Sequence, residues 1–250
     1  MAKLQGRQQN TILRQQRLGL VIPPSYDYGH WERHAGVEDA CNRIALWQVH
    51  GGRIWLTSEA VAGKTHLLHA LQQEQPQLGL ICVSAQNPGH AFGQVQAWLT
   101  MLESRAFWAV DIPAGALLPA SGLALFHLIE RARDMRRPLL VAWRCPEEAM
   151  APPELASRLK SMERIEFASP RSDHELRMVL RSVASSLQWD VKENVLDVLL
   201  AQLPRKLDVL IPALKRLETT SIGRGKRRIS QAWTRQQIQQ LLNESQTSLL

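Results

Sequence analysis

Short apolar runs alternate with segments of helical periodicity over the first two thirds of the chain. Runs that are almost entirely apolar occur at residues 54–56, 78–83, 106–111 and 138–143. Between them, residues 37–48, 64–71 and 123–135 repeat apolar side chains at three- or four-residue spacing, which predicts helices, and a short helix end is predicted at 98–103. Apolar strands separated by helices predict an α/β fold with a parallel sheet buried on both faces.

The last third of the chain has a different, helical pattern. Ser172 is followed three residues later by Glu175, a capping-box sequence that predicts the start of a helix running to about residue 187. Further helices are predicted at 191–202, 205–218 and 234–242, with residues 228–230 as a possible short strand. We therefore predict a flexible arm at residues 1–22, an α/β domain at 23–169 and a small all-α domain at 170–250.

Composition indicates an intracellular protein with no membrane segment. The first twenty residues lack an apolar signal core, and no later apolar run approaches the ~20 residues that span a bilayer. The 3 cysteines are widely spaced, which is typical of reduced thiols in the cytoplasm and indicates no cysteine metal site.

The net charge of +7 raises the question of nucleic-acid binding. The cations gather near the N-terminus and at residues 224–228. No segment has the pattern of a helix-turn-helix or zinc finger, so solvated surface is favoured and direct DNA binding is expected to be weak or absent.

The chemically most informative segment follows the first predicted strand. Residues 58–65 read Ser-Glu-Ala-Val-Ala-Gly-Lys-Thr and lead into a helix. Strand, small-residue loop and Gly-Lys-Thr predict a phosphate-binding loop, in which Lys64 reaches the outer phosphates and the Thr65 hydroxyl binds Mg²⁺. Ser58 stands where the pattern G-x-x-x-x-G-K-[ST] has its first glycine.

A carboxylate at the end of the third strand extends this interpretation. Asp111 ends the run at residues 106–111, where it is a candidate second ligand of Mg²⁺ or an ordinary acidic strand end. His66 and His69 lie on the helix after the loop without a third metal ligand nearby, so packing is the favoured role for them.

Several further motifs, in a fixed order over residues 24–242, resemble those of one family. They are the aromatic segment at 24–31, the Gly63-Lys64-Thr65-His66-Leu67 helix start, Arg144-Cys145-Pro146 at a strand end, Leu155-Ala156-Ser157-Arg158 and the helix start at Arg205. This order is similar to the DnaA/Hda family of AAA+ proteins. The chain resembles the Hda type, the regulatory inactivator of DnaA, more than the initiator, because the 250 residues leave no room for the initiator's C-terminal DNA-binding domain and we therefore expect none.

The resemblance implies a nucleotide site and a partner. It implies a P-loop AAA+ sheet followed by a helical lid, with ADP or ATP bound by Ser58, Ala62, Gly63, Lys64, Thr65, His66 and the sensor-2 residue Arg205, and with Mg²⁺ on Thr65 and Asp111. It implies that Arg158 is an arginine finger offered in trans to ATP-bound DnaA, although Arg158 is also compatible with an ordinary surface position. Arg205 at a helix start is disfavoured by the helix dipole, which favours a ligand-facing role for it.

Two departures from the family pattern bear on hydrolysis. Asp111 is followed by Ile112, where the family has a second polar or acidic residue that orients the attacking water, and the sensor-1 position falls on Trp143. Ile112 can neither accept a proton nor hold a water molecule, and Trp143 cannot position a phosphate through a carboxylate or an amide, so we expect nucleotide binding with little or no hydrolysis. An active ATPase of the helicase-loader or transposition-regulator kind, acting on DNA, remains the alternative.

The arm contains one more candidate motif. Residues 15–20 resemble the Gln-Leu-x-Leu peptides that bind the DNA sliding clamp, with Gln15, Leu18 and Leu20 as the candidate contacts. The match is partial because Gln16 replaces the first leucine. The sliding clamp and a second copy of the chain are therefore possible further partners.

Overall fold

A computed structural model describes residues 28–83, 90–223 and 229–247 of the chain. Its centre is a parallel sheet in the order β2-β3-β4-β1-β5. The strands are β1 Arg53–Thr57, β2 Leu78–Cys82, β3 Phe107–Asp111, β4 Leu139–Ala142 and β5 Glu163–Glu166. The chain leaves β1 toward β2 on one side and leaves β4 toward β5 on the other, so a crevice forms at the carboxyl ends of β1 and β4.

Helices cover both faces of the sheet, as the apolar strands require. They are α1 Ala35–His50, α2 Lys64–Glu74, α3 Ala91–Leu102, α4 Pro119–Asp134 and α5 Pro153–Lys160, with short 3₁₀ turns at Tyr28–His30 and Glu147–Ala149. One apolar cluster joins α1 and α2 to one face of the sheet, and a second joins α3, α4 and α5 to the other. Successive β4 residues therefore belong alternately to the two clusters.

The remaining helices surround an apolar cluster of their own. They are α6 Asp173–Ser186, α7 Glu193–Gln202, α8 Leu207–Gly223 and α9 Gln231–Thr247. The capping box predicted at the start of α6 is present: the Ser172 hydroxyl accepts from the Glu175 amide, and the Glu175 carboxylate accepts from the Ser172 amide. The other carboxylate oxygen of Glu175 accepts from the Ala35 amide, 3.2 Å away, and so joins α6 to the start of α1.

The structure differs from the sequence-based expectation in four places. The helix expected at 98–103 begins at Ala91, where the His90 side chain caps it. Helix α5 and the edge strand β5 are absent from the sequence-based expectation. Strand β5 contains no apolar run, because it buries only one of its four residues, Ile165. Ile229 and Ser230 form no strand, and Arg228 lies outside the described residues.

Two predicted features lie wholly outside the described residues. They are the arm, including the clamp-like residues Gln15, Leu18 and Leu20, and the basic group at 224–228. Among the helices that the structure describes, none has both the length and the apolar character needed to cross a membrane.

Candidate nucleotide-binding site

The loop between β1 and α2 has the backbone geometry of an anion site. Gly63 precedes α2 with φ of 86°, in the left-handed region that favours glycine, and no side chain caps the helix there. The first amides of α2 therefore remain available to a ligand, and the helix dipole favours a negative charge at this end.

A cavity of about 390 Å³ opens over this loop. It is enclosed by the loop, the carboxyl ends of β3 and β4, the turn before α1, and helices α6 and α8. Its lining includes five of the residues predicted to bind nucleotide, namely Ala62, Gly63, Lys64, Thr65 and His66. The cavity therefore lies between the sheet and the helical region, as expected for a nucleotide site.

Lys64 supplies a cation to the floor of the cavity. Its Nζ donates to the Ser58 hydroxyl, which is buried beneath the loop rather than in the cavity lining. Burial, and secondly the nearby Arg144 guanidinium, lower the pKa of Lys64 to about 8, with Asp111 acting in the opposite direction. A partly desolvated ammonium close to a second cation is suited to binding a polyphosphate.

Asp111 and Thr65, the two residues predicted to bind Mg²⁺, meet at the end of β3. Their side chains are hydrogen-bonded, and burial raises the pKa of Asp111 despite the opposing effects of Thr65, His69 and Lys64. No cluster of three or more His, Cys, Asp or Glu suited to a metal occurs among the described residues. One carboxylate and one hydroxyl nevertheless fit Mg²⁺ bound together with phosphates, since this ion commonly has few protein ligands.

Ile112 and Trp143, the two strand-end residues that depart from the family pattern, are both buried. Ile112 lines the cavity and is 5% exposed, with its amide donating to Ala142. Trp143 is fully buried and its indole donates to the Gly115 carbonyl at 3.0 Å, so its side chain is absent from the described cavity lining. The next residue, Arg144, does line the cavity.

Two predicted arginines lie outside the described cavity lining. Arg205 is exposed and pairs with Asp173 at the start of α6, with Nε 2.7 Å from a carboxylate oxygen. Arg158, on α5, pairs with Glu130 of α4 at 2.7 Å and lies over the Phe126 ring. The structure thus brings the loop, Thr65 and Asp111 together, but not Arg205.

Most of the apolar lining comes from residues that the sequence analysis did not name as site residues. Helices α6 and α8 contribute Val179, Val183, Leu207 and Ile211 at four-residue spacing, and the charged Lys215 continues the α8 series. Trp31, from the aromatic segment, also lines the cavity. The helical period identifies these stripes, but only the tertiary structure shows which stripe faces the loop.

No family model matches the sequence. Among solved structures, the chain is similar to domain III of the Thermotoga maritima replication initiation protein DnaA, with a TM-score of 0.65 and 13% identity over 87% of this chain and 97% of that one. It is similar to the Thermotoga maritima RuvB Holliday junction branch migration motor, with a TM-score of 0.61 and 16% identity over 86% of this chain and 72% of that one. AMPPCP-bound DnaA from Aquifex aeolicus matches with a TM-score of 0.56 and 15% identity, over 79% of this chain and 66% of that one.

These likenesses concern the fold. The five-stranded parallel sheet, its flanking helices and the helical region after it are common to this chain and to the DnaA and RuvB structures. The chain therefore has the AAA+ fold, with a P-loop α/β sheet followed by a small all-α lid.

Proposed function

We propose that this chain is a DnaA-like AAA+ regulatory protein of replication initiation, of the Hda type, which binds ADP or ATP with Mg²⁺. The observation that carries nucleotide binding is that Lys64, Thr65 and Asp111 line one cavity together with apolar residues of α6 and α8. The polar groups suit phosphates and the apolar residues suit a purine. The AMPPCP-bound DnaA of the same fold supports an adenine nucleotide.

Each group has a defined role in this scheme. The α2 amides and Lys64 bind the phosphates, and Thr65 and Asp111 would bind Mg²⁺, which would neutralise phosphate charge. The valines of α6 and the apolar residues of α8 enclose the base.

Titration calorimetry with ADP and with ATP tests this proposal. Lys64→Ala should weaken binding about 10- to 100-fold, as expected when a charged hydrogen bond is lost. Lys192→Ala is a matched control, because Lys192 is exposed and pairs with Asp190 away from the cavity. A wild-type protein that binds neither nucleotide at millimolar concentration contradicts the proposal.

The proposed regulatory role rests on two features: strand-end residues unsuited to hydrolysis, and an arginine that lies away from the cavity. Ile112 and Trp143 provide no group that accepts a proton or orients water, which supports binding without hydrolysis. Arg158 lies away from the chain's own cavity and is 38% exposed, which supports its donation to a partner's bound ATP. A guanidinium suits this task because it is permanently charged and binds two phosphate oxygens at once.

Hydrolysis by ATP-bound DnaA, measured with and without this chain, tests the arginine-finger proposal. Arg158→Ala should abolish a stimulation that arginine fingers bring to ~10³-fold or more, and Arg158→Lys should restore little of it. Arg133→Ala is the control, since Arg133 pairs with the same Glu130 carboxylate at 2.7 Å. Equal stimulation by the Arg158→Ala variant and the wild type would contradict the proposal.

The arm provides a second proposed contact. We propose that Gln15, Leu18 and Leu20 bind the DNA sliding clamp, with residues 1–22 acting as a tether to domains at 23–169 and 170–250 in a cytoplasmic protein. Removing residues 1–20 should abolish clamp binding in a pull-down with purified clamp and leave the far-ultraviolet circular dichroism spectrum unchanged. Clamp binding that survives the truncation excludes this role. Sedimentation of the same samples determines whether the chain forms a homo-oligomer.

A further inference from the structure

Arg144 is a second cation of the cavity, and the scheme above gives it no role. It follows β4 and Trp143, and the alternation along an extended chain turns it away from the tryptophan's side of the sheet toward the cavity. Its Nη1 donates to the Glu59 carbonyl of the phosphate loop at 3.2 Å. A guanidinium has several further N–H donors, so this contact leaves donors for a ligand.

Two parts of the cavity lining set the direction in which a nucleotide would lie. Val61 of the loop packs against the apolar cluster of the helical region and so lies on that side, whereas the strand-end residues Asp111, Ile112 and Arg144 line the cavity from the sheet. A base held against the helical side would place its phosphates along the loop, with the last phosphate toward the ends of β3 and β4. This step rests on the nucleotide binding proposed above.

The charges at the strand ends favour the binding of an anion. Lys64 and Arg144 both line the cavity, and Asp111 is the one carboxylate among the described strand-end residues of the lining. Two cations beside one carboxylate leave an excess of positive charge in a half-buried site. A phosphate with its full charge relieves that excess, whereas water does so weakly.

We propose that Arg144 binds the terminal phosphate of a nucleoside triphosphate held by the same chain, so that the cavity distinguishes ATP from ADP. The fork of the guanidinium would span a phosphate oxygen and the Glu59 carbonyl, which joins the phosphate to the loop. Arg144 thereby takes the place that Trp143 cannot fill.

Calorimetry with ATP and with ADP on Arg144 variants tests this assignment. Arg144→Ala should lower ATP affinity about 10- to 100-fold, the usual loss for a charged hydrogen bond, and change ADP affinity less than about threefold. Arg144→Lys keeps the charge and a donor for Glu59, so it should retain part of the ATP preference. Arg131→Ala is the matched control, because Arg131 is an exposed arginine outside the described cavity lining.

The failure of this assignment is distinct from the failure of nucleotide binding. A wild-type protein that binds neither nucleotide overturns both proposals. A wild-type protein that binds both, combined with an Arg144→Ala variant that loses ATP and ADP equally or loses neither, overturns the Arg144 assignment alone. Equal loss would mean that Arg144 only supports the loop through Glu59. A thermal melt of each variant checks that it is folded, and if the alanine variant is not, the lysine variant decides by the same ratio of affinities.

Discussion

Three side chains carry the proposal that this cavity binds nucleotide without hydrolysing it. Ser58 lies beneath the loop and accepts from Lys64, Ile112 brings an alkyl group to the end of β3, and Trp143 uses its indole N–H on the Gly115 carbonyl. Hydrolysis depends on a group that orients water and on donors around the transferring phosphate. Of these, the donors Lys64 and Arg144 are present in the described lining, and a carboxylate directly after Asp111 is not.

We predict that the isolated protein turns over ATP at or below about one cycle per hour, far under the ~1–10³ s⁻¹ usual for enzymes. The reason is that Ile112 has no atom that accepts a proton or holds a water molecule. Phosphate release, measured with and without single-stranded and duplex DNA, checks this.

The Lys64→Ala variant is the control in that assay for contaminating ATPases. Rapid turnover that depends on Lys64, especially turnover stimulated by DNA, would contradict the regulatory role and support the helicase-loader or transposition-regulator alternative.

The two fully buried tryptophans of the strands allow a matched stability test. Trp108 and Trp143 are both 0% exposed, but the Trp108 indole N–H has no partner among the described residues, whereas that of Trp143 bonds to Gly115. Trp143→Phe should therefore destabilise the fold more than Trp108→Phe, by about 1 kcal/mol, the typical net value of one hydrogen bond. Urea unfolding followed by circular dichroism measures the difference, and equal losses would mean that the Gly115 contact adds no stability.

At the scale of elements, the sequence predicts the strands and helices whose own residues form an apolar run or a capping pattern. The apolar runs predict β1 to β4, and the Ser172–Glu175 pair predicts the start of α6. Strand β5 escapes prediction because three of its four residues are charged and it pairs with β1 alone at the sheet edge. Helix α3 is longer than expected because its first turn exposes Phe92, 73% accessible, where periodicity predicts burial.

Glu175 provides a prediction about how two elements are joined. Its carboxylate accepts from the Ser172 and Arg171 amides, which lower its pKa to about 2, and from the Ala35 amide of α1. Since this pKa lies below the ordinary 4.5, the carboxylate stabilises the fold at pH above about 4.5, and the stabilisation declines as the pH falls toward 2. Glu175→Gln should therefore lower stability at pH 7 and converge on wild type at low pH.

Urea midpoints at pH values from 7 down to 2.5 test the sign of this effect. Glu154→Gln is the control, because Glu154 also lies in the first turn of a helix but has no capping hydrogen bond in the described structure. A stability difference that does not change with pH would assign the effect of Glu175→Gln to packing rather than to charge.

At the scale of the whole molecule, the site is assembled from segments far apart in the chain. The sequence predicts the loop because its contacts are local, and it predicts Asp111 because parallel strands end at one edge of the sheet. It does not identify Val183, Ile211 or Lys215, because their role depends on how α6 and α8 pack over the loop. Arg205 shows the same limit, since its position near a helix start does not reveal that it pairs with Asp173.

A cavity shared by the sheet and the lid implies that nucleotide stabilises the whole fold. ADP at about 100 times its dissociation constant should add ~2.7 kcal/mol, and at ~2–4 °C per kcal/mol for a chain of this size the melting temperature should rise by roughly 5–11 °C. Lys64→Ala and Ile211→Ala, tested at the same ADP concentration, should show much smaller shifts, because each removes a contact from one side of the cavity. Inorganic pyrophosphate distinguishes the contribution of the phosphate-binding residues from that of the apolar lining. It should raise the melting temperature less than ADP does, since it makes no contact with the apolar lining. An equal shift with pyrophosphate, or an Ile211→Ala variant that responds like wild type, would mean that the lid does not take part in binding.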